Sequence, residues 1–341
     1  MQLKNKFKSL NYLFKRHVYN QVVTGKIGKF FHYTKIFLKN KFFDCPRLAM
    51  IEIGTTCNLR CPTCPTPRDL IGRSPNIMKI EEYKKIIEAV KNYVHVVLLY
   101  YSNEPLLNPG LAEMIQYADK KNLYTMISTN AMLLDNKKTD EILDAGLDEI
   151  LLCLDGMTKE AYEPFRIGAK FETVVKNIKY FCEEKKRRKL VKPYIELQYI
   201  VTKLNQNQIP QVKDFVKKYN IDRLRIKSLA IGEYNYREET RKELVEKFLP
   251  THEDAKTRYK KEKGNIKHKS FSLQCGNAKN QIIILDKGQL IMCCYDVKGK
   301  YVYGNILESA FKDIWFSEDV KKRRKMARER KFPLCQKCDI C

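Results

Sequence analysis

The segment IEIGTTCNLRCPTCPTP, residues 51–67, places three cysteines directly after an apolar, strand-like run. Cys57, Cys61 and Cys64 follow the spacing C-x3-C-x2-C. Three thiolates in one loop can hold three irons of a [4Fe–4S] cluster and leave the fourth iron open to a substrate or cofactor. A zinc site usually recruits a fourth Cys or His nearby. The loop contains no such residue, so the spacing favours iron over zinc.

The cysteine loop follows the first of six strand-like runs that alternate with helical patterns. The runs are residues 48–53, 94–100, 124–128, 149–154, 194–201 and 223–228, with helical patterns at 80–91, 111–121, 136–145, 171–185 and 209–218. This alternation predicts an α/β fold with a parallel sheet and right-handed crossovers. An open six-stranded barrel and a doubly wound sheet both fit the pattern.

Length and charge set the broad class. A chain of 341 residues predicts about two domains. Lys and Arg outnumber Asp and Glu by 65 to 40, giving a net charge of +25. Such a charge suggests an acidic partner, or lysines that only solubilise the surface. With no apolar run long enough to span a membrane and no secretory signal pattern, we expect a cytoplasmic protein.

Residues 1–47 form a basic, aromatic N-terminal arm. They hold eleven Lys or Arg against one acid, Asp44. Phe7, Leu10, Phe14 and Val18 recur every three or four residues, which predicts a helix with one apolar face. Such a segment can lie on the inner face of an anionic membrane, as a peripheral contact. Alternatively, the arm packs over the main domain.

Beyond residue 230 the pattern changes twice. Residues 231–270 are polar and charged, and we interpret them as a helical linker or insertion. Residues 271–341 predict a hairpin at 281–285 and 289–292, a short helix at 309–316 and a basic helix at 320–331. This C-terminal segment carries six cysteines, at positions 275, 293, 294, 335, 338 and 341. A bound metal centre would help to stabilise so small a domain.

The cysteine spacing and its position after the first strand resemble the radical S-adenosylmethionine (SAM) superfamily. The resemblance covers residues 48–230 and implies a partial (β/α)6 TIM-like barrel. It also implies that a [4Fe–4S] cluster on Cys57, Cys61 and Cys64 binds SAM at its open iron. Reductive cleavage of SAM would then give a 5′-deoxyadenosyl radical that abstracts hydrogen from a substrate. No catalytic residue beyond the cluster ligands is implied.

The same resemblance implies four SAM-contacting residues at the ends of predicted strands. Glu104 stands in Ser102-Asn103-Glu104-Pro105, where related enzymes commonly have Gly-Gly-Glu-Pro. Ser128 and Asn130 follow the third strand, and Arg166 lies where related enzymes often place a carboxylate-binding Arg. Active sites of such barrels form at the carboxyl ends of the strands. Each position also has a structural alternative, such as a turn, a cap or a surface ion pair.

Residues 271–341 resemble the SPASM or shorter twitch extension of that superfamily. The simplest assignment is a second, auxiliary [4Fe–4S] cluster on Cys275, Cys293, Cys335 and Cys338, with Cys294 and Cys341 as alternates. A zinc knuckle is the alternative. The expected cofactors are therefore two [4Fe–4S] clusters and SAM.

Several functions are compatible with this resemblance. An auxiliary cluster that accepts an electron favours dehydrogenation, for example of an alcohol or glycan; cross-linking of a peptide is the alternative. The chemistry implies a low-potential reductant such as flavodoxin or ferredoxin. An iron–sulfur protein that binds nucleic acid or carries electrons is an alternative of another class. No nucleic-acid-binding module is recognisable, so we expect no such partner.

Overall fold

Six parallel strands form most of a nine-stranded sheet in the computed structural model, which describes residues 20–68, 71–231, 237–252, 257–262, 265–268, 275–336 and 338. The strands are β1 Leu48–Ile51, β2 Val96–Leu98, β3 Tyr124–Thr129, β4 Glu149–Cys153, β5 Tyr194–Val201 and β6 Arg223–Ser228. Their order in the sheet is their order in the chain, and every neighbouring pair is parallel. A doubly wound sheet reverses its strand order at a switch point, whereas a (β/α) barrel does not. The order therefore confirms the α/β partial barrel and excludes the doubly wound alternative.

Five of the helices that connect these strands lie at the predicted places, at 80–90, 111–120, 136–144, 171–187 and 209–218. After α1 Asn20–Val23 and α2 Ile27–Phe43 come α3 Ile80–Val90, α4 Leu111–Lys120, α5 Asn136–Asp144, α6 Lys159–Tyr162, α7 Phe171–Arg187 and α8 Ile209–Lys218. Helix α3 buries Tyr83, Ile86, Ile87 and Val90, which lie on one face of a helix. The apolar periodicity therefore predicts the crossover helices because each must cover the sheet.

The two faces of the sheet differ in chemistry. Residues that point outward, such as Ile51, Leu99 and Leu152, are buried in the main apolar core. Residues at alternating positions point into the barrel lumen. There, Leu98, Met126 and Leu151 form a separate apolar cluster. Polar side chains such as Ser128 also lie on this inner face.

The C-terminal hairpin extends the barrel sheet. Strands β9 Gln281–Ile284, β10 Gln289–Ile291 and β11 Val302–Asn305 lie at one side, and β9 pairs in parallel with β1. The predicted hairpin is confirmed, but its pairing with β1 was not predicted, since it joins strands far apart in the sequence. Helices α10 Asn277–Asn280, α11 Phe311–Trp315, α12 Glu318–Arg328 and α13 Pro333–Gln336 complete this region.

The segment after the barrel is only partly helical. It contains α9 Glu238–Phe248, followed by the antiparallel strands β7 Tyr259–Glu262 and β8 Asn265–His268. The prediction that residues 231–270 are helical is therefore wrong for the second half of this segment. The buried Tyr259 anchors the hairpin: it packs in a cluster with Phe248, and its hydroxyl accepts a hydrogen bond from Ile231 N (2.6 Å).

Helix α2 packs across the amino end of the barrel. Its fully buried Lys29 forms ion pairs with Asp148 and with Asp119 (Nζ to Oδ1, 2.8 Å). At the C-terminal end of the helix, Asp44 pairs with Arg324 of α12. The packing alternative for the arm therefore holds for residues 20–47, whereas Phe7, Leu10, Phe14 and Val18 lie outside the described residues. No helix in the described part of the chain is long and apolar enough to cross a membrane.

Candidate metal centres

The first cysteine loop follows β1 and is held to the end of the barrel by its backbone. Arg60 N donates to Ile167 O (2.8 Å), and Cys64 N donates to Cys61 O (3.1 Å). Burial is the main cause that raises the pKa of the Cys57 thiol to about 12, with smaller contributions from Glu104, Cys64 and Cys61. The three sulfurs are thus close enough to influence one another's charge. Buried thiols of this kind become thiolates when a metal supplies positive charge, so the donor set fits an iron–sulfur cluster.

Asn130 and Arg166 both contact the sulfurs of this loop. Asn130 Nδ2 donates to Asn58 Oδ1 (2.9 Å) and to Cys57 Sγ (3.8 Å). Arg166 Nη1 donates to Cys61 Sγ (3.6 Å), while its Nε donates to Asp155 Oδ2 (2.7 Å). Donors near cluster sulfurs tune the reduction potential. The structure therefore brings two of the four predicted SAM-contacting residues onto the cysteine loop itself.

Glu104 is a buried carboxylate beside the loop. Its Oε1 accepts hydrogen bonds from Thr129 Oγ1 (2.7 Å) and Leu106 N (3.2 Å), and its Oε2 accepts one from Asn130 N (2.9 Å). Burial raises the pKa of Glu104 to about 7, although these hydrogen bonds oppose the change. Glu104 N also donates to Thr56 O (2.9 Å), which ties this carboxylate to the cysteine loop.

Ser128 lies apart from the other three predicted residues. Its side chain faces the lumen, where Oγ is 3.7 Å from Cys153 Sγ. Its neighbour Thr129 contacts Glu104 instead, because consecutive side chains point to opposite faces of a strand. Sequence reasoning missed Asn58 as a contact of Asn130, although its place between Cys57 and Cys61 was a usable signal.

An ion-pair cluster links the cysteine loop to the C-terminal hairpin. Arg73 follows the loop and pairs with the fully buried Glu52 at the end of β1 and with Asp286 in the β9–β10 turn (Nη1 to Oδ1, 2.8 Å). Asn76 Nδ2 donates to the other oxygen of Asp286 (2.8 Å). No sequence signal indicated this arrangement, since its members lie far apart in the chain.

The second cysteine set converges in the C-terminal region. Five cysteines line one cavity there: Cys275, Cys293, Cys294, Cys335 and Cys338. Burial raises the pKa of Cys294 to about 11, with smaller contributions from Cys338 and Cys275. Cys341, predicted as an alternate ligand, lies outside the described residues.

The thiol donors suit clusters, in which each cysteine binds a different iron. Within the described ranges, no three Cys, His, Asp or Glu side chains are grouped as ligands of one metal ion.

Two family models match this chain, one over the barrel and one over the C-terminal region. The family model described as the radical SAM superfamily matches residues 51–192. The chain belongs to the radical SAM superfamily. A second model, SPASM, described as an iron–sulfur cluster-binding domain, matches residues 275–339. The two domains imply SAM and two iron–sulfur clusters as cofactors.

Curated relatives of this radical SAM chain have several different activities. It is 30% identical over 115 residues to a PqqA peptide cyclase of Bradyrhizobium diazoefficiens, covering 34% of this chain and 30% of the relative. It is 27% identical over 169 residues to an Fe-coproporphyrin III synthase of Methanosarcina barkeri, covering 49% and 40%. A tungsten-containing aldehyde ferredoxin oxidoreductase cofactor-modifying protein of Pyrococcus furiosus is 21% identical over 321 residues, covering 85% and 86%. The first two matches thus span less than half of each relative.

Solved radical SAM structures share the fold. Streptococcus suis SuiB bound to the precursor peptide SuiA has a TM-score of 0.62 at 17% identity, covering 90% of this chain and 74% of SuiB. BtrN in complex with AdoMet and 2-DOIA has a TM-score of 0.51 at 17% identity, covering 86% and 92%. These similarities establish a common architecture.

Proposed function

We propose that this radical SAM enzyme modifies a peptide substrate. The observation that carries the proposal is the match to PqqA peptide cyclases, which recurs at 30% and 26% identity in two organisms. The fold similarity to SuiB, crystallised with its precursor peptide, is consistent with it. The dehydrogenation of an alcohol or glycan, favoured by the sequence analysis, stays a prediction that no comparison tests.

In this proposal the loop cysteines Cys57, Cys61 and Cys64 hold the SAM cluster. With SAM bound, that cluster supplies the radical that abstracts hydrogen from the substrate. Glu104 accepts a hydrogen bond from the amino group of SAM, since its buried carboxylate lies beside the cysteine loop and its own hydrogen bonds leave it able to accept another. Asn130 supports the loop.

Two further residues have proposed roles at the mouth of the lumen. Arg166 lies between Asp155 and Cys61 and keeps a positive charge beside the cluster and the SAM carboxylate. Ser128 lies on the lumen side, where the ribose of SAM and the substrate would meet.

The auxiliary cluster in this proposal is bound by Cys275, Cys293, Cys335 and Cys338, with Cys294 and Cys341 as alternates. A low-potential reductant such as flavodoxin or ferredoxin supplies the electron for each turnover. The net charge of +25 favours such acidic partners.

A peripheral membrane contact through the arm is also proposed. On α2, Phe31 and Phe42 are 65% and 66% exposed, and Lys35 and Lys41 are exposed on the same helix. Aromatic side chains beside lysines suit the surface of an anionic bilayer.

The experiment for the proposed function uses anaerobically reconstituted enzyme, SAM and dithionite with a panel of synthetic peptides. We expect at least one peptide to stimulate formation of 5′-deoxyadenosine and to lose two hydrogen atoms at a position located by tandem mass spectrometry. A Cys57→Ala variant is the matched control, because it removes one ligand of the SAM cluster. If candidate alcohols and glycans stimulate the reaction and every peptide is inert, the peptide proposal is wrong and dehydrogenation replaces it.

A further inference from the structure

Strand β6 presents three cations to the inside of the barrel. Arg223, Arg225 and Lys227 occupy alternate positions of this strand. Leu224 and Ile226, which lie between them, pack against the helix-covered core. Because side chains alternate across a strand, all three cations project into the lumen.

Two of these cations form a direct ion pair and the third does not. Glu196 on β5 is fully buried and pairs with Arg225 and with Arg223 (Oε2 to Nη1, 3.3 Å). Lys227 is half-buried, and its ammonium makes no hydrogen bond or ion pair within the described part of the chain. A cation that is largely withdrawn from water without a counter-charge is costly. Lys227 therefore suits an anion that arrives with a ligand.

Lys227 lies at the end of the lumen where the cysteine loop is. It is in register with Ile200, whose backbone N donates to Asp155 Oδ1. Asp155 in turn holds Arg166, which reaches Cys61 Sγ. A group bound at Lys227 would therefore lie close to the SAM cluster rather than at the amino end of the barrel.

The surroundings of Lys227 are polar. Cys153 on β4 is close enough to influence its charge, and Cys153 Sγ is contacted by Ser128 Oγ (3.7 Å) and by Gln198 Nε2 (3.6 Å). Four neighbouring strands thus contribute polar side chains to one patch, the lumen patch, formed by Ser128, Cys153, Gln198 and Lys227. A patch with one unpaired cation and neutral hydrogen-bonding neighbours is a binding site for a small anionic group.

We propose that Lys227 binds a carboxylate of the substrate, so that the enzyme selects peptides whose lumen-entering segment carries an Asp or Glu. This rests on the proposed peptide-modifying function. The ammonium of Lys227 carries one charge, which the single charge of a carboxylate neutralises. Burial, reinforced by Arg225 and Arg258, lowers the pKa of Lys227, although Cys153 and Glu196 oppose the change.

The first test compares binding of matched peptides to the reconstituted holoenzyme with SAM. Each fluorescein-labelled peptide is paired with a copy in which Glu and Asp are replaced by Gln and Asn, and affinity is read by fluorescence anisotropy. For wild type we expect the acidic peptide to bind about tenfold more tightly, as for one charge-assisted hydrogen bond. Lys227→Met should abolish this preference, Lys227→Arg should keep most of it, and the exposed Lys217→Met should leave it unchanged. A wild type without the preference, or a Lys227→Met variant that retains it, would overturn the proposal.

The second test does not depend on finding a peptide substrate. Acetylation of Lys227 by an N-hydroxysuccinimide ester is followed by mass spectrometry, with Lys217 as the internal reference. Glutarate should slow the acetylation of Lys227, whereas the neutral glutaramide should not. Equal effects of the two compounds, or protection by inorganic phosphate alone, would contradict the carboxylate assignment. Protection by glutarate when no peptide is modified would instead mean that the anion site stands and the peptide function fails.

Discussion

The carboxylate of Glu104 is buried and accepts three hydrogen bonds, two of them from the backbone. Backbone donors do not require a charged acceptor, and an amide oxygen can accept some of them. An amide cannot supply the negative charge that attracts the amino group of SAM. Replacing the Glu104 carboxylate with an amide therefore separates the SAM-binding role of this residue from its structural role.

For the variant Glu104→Gln we expect the affinity for SAM to fall about tenfold or more, because a hydrogen bond to a charged group becomes a neutral one. Iron content should stay at the wild-type value, since the cysteines are untouched. Anaerobic equilibrium dialysis with labelled SAM measures the first and colorimetric iron assay the second. Glu113→Gln, at an exposed carboxylate, is the control. Unchanged SAM affinity in Glu104→Gln would make Glu104 a purely structural residue.

The pKa of Glu104 gives a pH dependence with a definite sign. Burial raises this pKa to about 7, so a large fraction of the carboxyl is protonated below neutrality. SAM binding that needs the carboxylate should be full at about pH 8 and weaken progressively as the pH falls below about 7. Isothermal titration between these values should show the slope in wild type and its absence in Glu104→Gln. An identical slope in both proteins would assign the titration to another group.

At the scale of elements, α2 is attached by a buried charge cluster. Lys29 is fully buried between Asp119 and Asp148, and Lys192 adds a longer contact to each carboxylate (Nζ to Oδ1, 3.5 and 3.4 Å). Burial opposes the ionisation of Asp119, but the attraction of Lys29, Lys26 and Lys192 holds its pKa at about 2. Removing one member of such a cluster leaves charge buried without compensation.

For Lys29→Met we expect a loss of about 3 kcal/mol in the free energy of unfolding, the lower end for a broken buried ion pair because Lys192 remains. Lys35→Met on the exposed face of the same helix should change it by less than about 0.5 kcal/mol. Urea unfolding of the reconstituted proteins, followed by circular dichroism, gives both values. A loss in Lys29→Met no larger than in Lys35→Met would mean that α2 contributes little to stability.

The sequence predicted those elements whose evidence is local. The bounds of β5, β6 and α8 agree with the prediction to the residue, because their apolar periodicity matches the faces that they bury. The pairing of β9 with β1 and the Arg73 cluster could not be found in this way, since each depends on residues distant in the chain. The β7–β8 hairpin is local, but its strands, YKKE and NIKH, lack an alternating apolar pattern. Within the site, the prediction placed Ser128 beside SAM without knowing which face of β3 it would occupy.

At the scale of the whole molecule, the two cysteine sets should load independently. We expect about eight irons per reconstituted wild-type chain and about four in the double variant Cys335→Ala/Cys338→Ala, which retains the SAM-cluster loop. Iron and acid-labile sulfide assays give the counts, and Cys182→Ala, at a buried thiol outside both sets, is the control. A wild-type count near four would remove the auxiliary cluster.

The proposed membrane contact makes a second prediction at this scale. Wild type should sediment with vesicles that contain phosphatidylglycerol, and added salt should reduce the bound fraction, because lysines supply part of the attraction. Phe31→Ser/Phe42→Ser should lose most of this binding, whereas Ile167→Ser, at an exposed apolar residue near the cysteine loop, should not. Equal sedimentation of the two variants would argue against a contact through α2.

The pairing of β1 with β9 has a consequence for biosynthesis. As the chain emerges from the ribosome, β1 can join β2 early, but its other edge waits for residues 281–284. Until then an apolar strand next to the cysteine loop presents unpaired backbone groups, which is a template for aggregation. Chains that stop before residue 281 should therefore accumulate in inclusion bodies, and slow translation of the last third would increase the demand for chaperones.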